Sequence, residues 1–136
     1  MRASSELLEH TAEVKLRIRA PSFAELATEA GRAVARLELG RAAPAAEGAY
    51  RDVVVRSPDR DALLVDWLNE LIWLAETERW VATEFEVHAA TDTMLQARVR
   101  GVTVDEAPAR IKAATFHGLK VAPAADGLEA EVILDV

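Results

Sequence analysis

The pattern of apolar and polar positions is clearest between residues 13 and 20. Val14, Leu16, Ile18 and Ala20 alternate with Lys15, Arg17 and Arg19. A period of two predicts a strand with one buried and one solvated face. The period then changes. Ser22, with Glu25 three residues later, forms a capping box, the sequence signature of a helix start. The stripe of Phe23, Leu26, Ala27, Ala30, Ala33, Val34 and Leu37 predicts the helix itself, and Gly40 stops it. Residues 41–48, rich in Ala with a Pro and a Gly, are expected to form a loop. A second strand follows over about residues 50–56.

Ser57 and Pro58 are expected to open the longest helix, with Ser as its N-cap and Pro at its first position. Leu63, Leu64, Trp67, Leu68, Leu71, Ile72, Leu74 and Ala75 span one half of it, and Asp66, Asn69, Glu70 and Thr77 the other. Trp73 falls at the centre of the polar half. Either a second layer covers it or it is a partly exposed aromatic, and exposed Trp with a polar rim typically anchors a protein–protein interface. Asp66, Glu70 and Trp73 are therefore partner-interface candidates. The rest is mostly strand: about residues 83–90, 94–101, 111–117, 119–122 and 128 to the end. Asp92 and Asp126-Gly127 supply turns. Two helices within a mainly sequential set of strands predict an α+β domain spanning residues 1–136. Its sheet is largely antiparallel or mixed, with the two helices packed on one face.

Composition narrows the classes. Of 136 residues, 51% are hydrophobic, too many for a disordered chain. There is no cysteine, so no disulfide framework, thiolate metal site or cysteine nucleophile exists. No run approaches the ~20 apolar residues of a membrane span. Residues 1–10 carry Glu6 and Glu9 without a long apolar stretch, so they are not read as a secretory signal, and a cytoplasmic address is expected. The net charge is −7, which argues against broad nucleic-acid binding because that attraction comes from many Lys and Arg set against phosphates.

Three places hold more polarity than a core needs. Glu9-His10-Thr11-Ala12-Glu13 precedes the first strand read above. Its acid and imidazole suit a metal or a base with its orienter, but spacing alone favours a loop whose polar side chains cap backbone groups. At the other end, Glu131, Ile133 and Asp135 are expected to face away from Val132, Leu134 and Val136. Asp135 stands one residue from the carboxylate of Val136. Such carboxylates raise each other's pKa unless a cation neutralises them, and oxygen-only ligands suit Mg²⁺, Ca²⁺ or Mn²⁺. A frayed, solvated chain end is the alternative. The third place is the stretch from Lys112 to Lys120. There Lys112, Ala114 and Phe116 share one strand face and Ala113, Thr115 and His117 the other, with a bend expected at Gly118.

Five pieces in order resemble the archease family: Glu9-His10-Thr11-Ala12-Glu13, Leu63-Leu-Val-Asp-Trp-Leu-Asn-Glu-Leu71, Glu84-Phe-Glu-Val87, Lys112-Ala-Ala-Thr-Phe-His-Gly-Leu-Lys-Val121 and Val132-Ile-Leu-Asp-Val136. Together they run from residue 9 to residue 136, and the nine-residue helix piece is specific. The resemblance implies an accessory protein of a GTP-dependent RNA splicing ligase (RtcB type), which joins a 3′-phosphate or 2′,3′-cyclic-phosphate end to a 5′-hydroxyl end. The accessory protein would promote guanylylation and turnover of the ligase. It would not be an enzyme itself, would bind no nucleic acid stably and would hold a divalent metal of its own. By that resemblance the metal ligands are Glu13, Asp135 and Val136, Lys112 is functional, and His10 and His117 are further polar candidates.

Two features depart from the family pattern. Glu13 stands where the usual acid is Asp, so its carboxylate can reach roughly 1.5 Å further. Such a change bears on metal preference, because Mg²⁺ demands stricter geometry than Ca²⁺. Residues 104–110 form a short join where relatives often carry a longer excursion. Two other functions stay open at this point. One is a chaperone-like modulator of a tRNA-modifying enzyme, such as a methyltransferase. The other is a metal-dependent hydrolase built on Glu13, His10 and Asp135.

Overall fold

The alternating segments pair into two antiparallel sheets, and the two helices tie those sheets together. The computed structural model describes residues 1–10, 13–106 and 111–136. In chain order the elements are β1 (Ser4–His10), β2 (Glu13–Ala20), α1 (Phe23–Leu39), β3 (Glu47–Arg56), α2 (Arg60–Glu78), β4 (Trp80–Ala90), β5 (Met94–Thr103), β6 (Ala113–Ala124) and β7 (Gly127–Asp135). A four-stranded sheet runs β1-β2-β7-β6 and a three-stranded sheet runs β3-β5-β4. α1 packs on β2 and β4, and α2 on β6 and β4, so both sheets share one core. The expected α+β architecture with two helices packed on antiparallel strands is what the chain forms, but the single sheet expected is divided into two.

The period of two along β2 is borne out. Leu16, Ile18 and Ala20 are fully buried, Val132 and Leu134 of β7 lie beside them, and the basic residues between face outward. α1 starts and stops where its signals stand. The Ser22 hydroxyl accepts from the Glu25 N–H at 3.2 Å, and Gly40, at φ 70°, closes the helix by donating to the Arg36 carbonyl. Only glycine takes that left-handed backbone without steric cost. At the centre of the core Trp67 is fully buried. Its indole N–H donates to the Ala27 carbonyl of α1 at 2.9 Å, and its ring meets Phe85 of β4 edge-on at 6.1 Å.

Four local expectations are corrected. First, residues 4–10 form β1, paired to β2 from Ser4↔Arg19 to His10↔Glu13. Its weak alternation hid it, because an edge strand needs only part of one face buried. Second, α2 is capped by Asp59 and not by Ser57. The Asp59 carboxylate accepts from the Ala62 N–H at 2.8 Å, and Pro58 precedes the cap. A charged acceptor gains from the helix dipole, and the Ser57 hydroxyl instead donates to Asp66 at 2.6 Å. Third, residues 113–124 are one strand. The bend at Gly118, φ 67°, is a register shift between Thr115 and Lys120 within β6. That shift turns Phe116 out to 58% exposure although it shares parity with the buried Ala114. Fourth, β3 begins at Glu47 and β4 at Trp80, earlier than the pattern suggests.

Two glutamates of α1 are buried and stand in opposite circumstances. Glu29 receives the Ser5 hydroxyl at 3.0 Å and Arg36 at 3.3 Å. Glu38 is 7% exposed, and among the described residues it has no hydrogen-bond or ion-pair partner. Burial pushes its carboxyl from 4.5 up to about 8.

Candidate functional site

The register of the four-stranded sheet gathers residues that are far apart in sequence. Glu13 of β2 lies opposite Asp135 of β7, and Asp135 lies opposite Ala113 of β6. The backbone of His10 continues the same row on the other side of Glu13. The Lys112 N–H donates to the Asp135 carbonyl at 2.7 Å and so fixes the last residues of β7. Val14 and Leu134, the next pair, point into the core. By the pleat, Glu13 and Asp135 therefore stand together on the outer face. Directly opposed residues hold their Cβ atoms about 4.5–5.5 Å apart, close enough for both carboxylates to reach one ion.

What distinguishes this pair is the charge around it. Elsewhere on the same outer face every nearby acid has a base. Arg17 meets Glu131 at 2.9 Å, Arg19 meets Glu129 at 3.1 Å, and Lys15 reaches Glu131 at 3.8 Å. The hydrogen bond to Glu131, chief among its acidic neighbours, raises the Arg17 pKa. Among the described residues no Lys or Arg forms an ion pair with Glu13 or Asp135. Two facing carboxylates without a protein cation are a set of hard oxygen donors suited to Ca²⁺, Mg²⁺ or Mn²⁺. The fit is partial: among the described residues no three His, Cys, Asp or Glu side chains gather as a metal-binding group.

The other candidates divide. Lys112 is exposed and Val136 half-buried, and both adjoin Asp135. Thr11 and Ala12, with residues 107–110 of the short join, lie outside the described residues, as do the side chains of His10 and His117. In α2, Asp66 is engaged with Ser57, Glu70 is half-buried, and Trp73 is 52% exposed. Of the two readings of Trp73, the structure shows the exposed one.

One residue that the sequence did not single out organises this end of the molecule. β6 is an edge strand, and α2 covers its free edge. The Asn69 side chain donates to the Ala114 carbonyl at 3.0 Å and accepts from the Ala114 N–H at 2.8 Å, standing in for a missing neighbour strand. Asp61 accepts from the Val121 N–H at 2.8 Å. An unpaired edge invites association with other strands, and these side chains close it. The two contacts also set direction: α2 runs opposite to β6. One turn beyond Asn69, Trp73 falls toward Lys112 and the Glu13–Asp135 end. The only hint in the sequence was an Asn inside a helix, where its propensity is poor.

Comparison with known proteins agrees with this architecture. The archease protein family (MTH1598/TM1083) matches residues 6–136. The protein archease of Methanosarcina acetivorans is 31% identical, covering 96% of this chain and 94% of its own length. That of Methanosarcina barkeri is 29% identical with the same coverage. Among solved structures, the solution structure of Methanobacterium thermoautotrophicum protein 1598 superposes with a TM-score of 0.74 at 25% identity, covering 97% of this chain and 98% of that one. The crystal structure of an archease from Thermotoga maritima, described as a possible chaperone, gives 0.65 at 22% identity over 100% and 98% of the two chains, a likeness of fold.

Proposed function

This chain belongs to the archease family, and from that premise we propose that it is a non-enzymatic activator of a GTP-dependent RNA splicing ligase of the RtcB type. It docks transiently on the ligase, presents the Glu13–Asp135 end near the ligase's nucleotide pocket, and favours the state in which the ligase attacks GTP. The observation that carries this reading is the pairing of Glu13 with Asp135 across β2 and β7, with no Lys or Arg ion-paired to either among the described residues. A divalent cation held there would supply a hard positive charge that a nucleotide phosphate recognises. Glu13 and Asp135 would hold it, and the Lys112 N–H keeps Asp135 in place. Lys112, His10 and His117 are proposed to act at the same end. Among the described residues no helix is long and apolar enough to cross a membrane, and we place the protein in the cytoplasm beside its partner. Its net charge of −7 suits docking on a basic RNA-handling enzyme, because opposite fields raise encounter rates.

Single-turnover guanylylation of the ligase tests the proposal. Substoichiometric protein should stimulate it, and Glu13→Ala with Asp135→Ala should abolish both stimulation and Ca²⁺ binding while Tm is kept. No stimulation by the wild-type protein would sink the activator reading. Stimulation that survives the double substitution would favour a metal-independent, chaperone-like role, in line with the description of the Thermotoga maritima relative as a possible chaperone. A short extension after Val136 tests whether its carboxylate takes part, since it should then lower Ca²⁺ affinity.

A further inference from the structure

Among the described residues nothing packs over Trp73 on the outer stripe of α2. Trp73 is 52% exposed and Phe116 58%, whereas Trp67, on the same helix as Trp73, is fully buried. The two exposed aromatics flank the Asn69 clamp. Trp73 lies one helical turn beyond it, and Phe116 two residues beyond Ala114, which Asn69 holds. On α2 itself the charge beside Trp73 has one sign. Asp66, Glu70 and Glu76 lie on the outer side of α2, and after Arg60 the helix carries no Lys or Arg.

That combination discriminates between occupants. Nucleic-acid phosphates are repelled by a stripe of carboxylates. A second copy docking through a two-fold axis would set the patch against itself, bringing Asp66, Glu70 and Glu76 toward their own counterparts at a cost of like-charge repulsion. A cationic protein surface complements the acids and the indole of this helix face. The acids steer it in, a guanidinium stacks on the indole face, and the Trp body fills a pocket as central interface anchors do. The stripe also ends toward Lys112, so a partner gripping Trp73 is held beside Glu13 and Asp135.

We infer that the outer face of α2 centred on Trp73 is the docking surface for an arginine-rich protein surface. The inference rests on the proposal above, with the ligase as that partner, and it identifies the face by which docking occurs. The test is the Kd between ligase and full-length protein, for wild type, Trp73→Ala and Glu70→Lys, alongside Tm and Ca²⁺ affinity of each variant alone. Trp73→Ala should weaken binding at least about 30-fold, the range of interface hot spots, with Tm and Ca²⁺ affinity unchanged. Glu70→Lys should slow association, an effect that shrinks at high salt. Trp73→Ala binding and stimulating as well as the wild type overturns the docking face and leaves the activator reading intact. A wild type that neither binds nor stimulates the ligase overturns both. A wild-type dimer that Trp73→Ala dissolves assigns the face to a second copy and overturns the inference as well.

Discussion

Replacing Glu38 by Gln should stabilise this protein at neutral pH and leave it nearly unchanged in mild acid. Glu38 is 7% exposed on α1, and burial raises its carboxyl from 4.5 to about 8. For a group whose folded pKa lies above its unfolded one, the stabilising contribution is complete below the unfolded value. It is lost as pH rises through the folded value, because the unfolded chain ionises first. The window is therefore about pH 4.5 to 8. Each pH unit inside it removes about 1.4 kcal/mol, so by pH 7 the carboxyl has cost the fold about 3 kcal/mol, a large share of a typical domain's total stability. Gln keeps the shape and has no proton to lose. Urea unfolding of wild type and Glu38→Gln at several pH values from 4.5 to 8.5 reads the difference directly, and the subtraction cancels the titration of every other group. The variant's advantage should grow from near zero at pH 4.5 to about 3 kcal/mol at pH 7 and level off above 8. A difference that stays constant across this range would refute the reasoning. Glu29 on the same helix is the built-in contrast: with Ser5 and Arg36 as partners, its replacement by Gln should destabilise at neutral pH.

Two further substitutions test the scaffold. Gly101→Ala would place a Cβ 2.1 Å from the Val81 carbonyl oxygen. The obstacle is backbone that cannot swing aside, so chemical denaturation should show a loss of about 3 kcal/mol or more. A loss below 1 kcal/mol would mean that β4 and β5 separate easily there. Asn69→Leu removes both hydrogen bonds to Ala114 and should cost about 3–5 kcal/mol, at roughly 1 kcal/mol per bond plus the penalty for a buried peptide group left unpaired. The Ala114 amide should also exchange much faster with solvent, and unchanged protection would show that β6 does not depend on the clamp.

The sequence by itself determined the elements whose signals are local. The alternation of residues 13–20 reports which face of β2 is buried, because the side-chain period is a property of the strand alone. The Ser22–Glu25 box and Gly40 bound α1 for the same reason: a cap is satisfied within a few residues. The family was legible from five motifs in order, and with it the names Glu13, Asp135 and Val136. Tertiary structure decided the rest. Which acceptor capped α2 depended on Asp66, nine residues after Ser57, drawing off the Ser57 hydroxyl. β1 was hidden because an edge strand buries too little to imprint a pattern. The exposure of Phe116 followed from a register shift in β6, and that of Trp73 from the absence of a covering layer. Above all, no spacing relates residue 13 to residue 135. They face each other only because β2 and β7 pair antiparallel in one register, and register is set by how every buried side chain along both strands fills the common core.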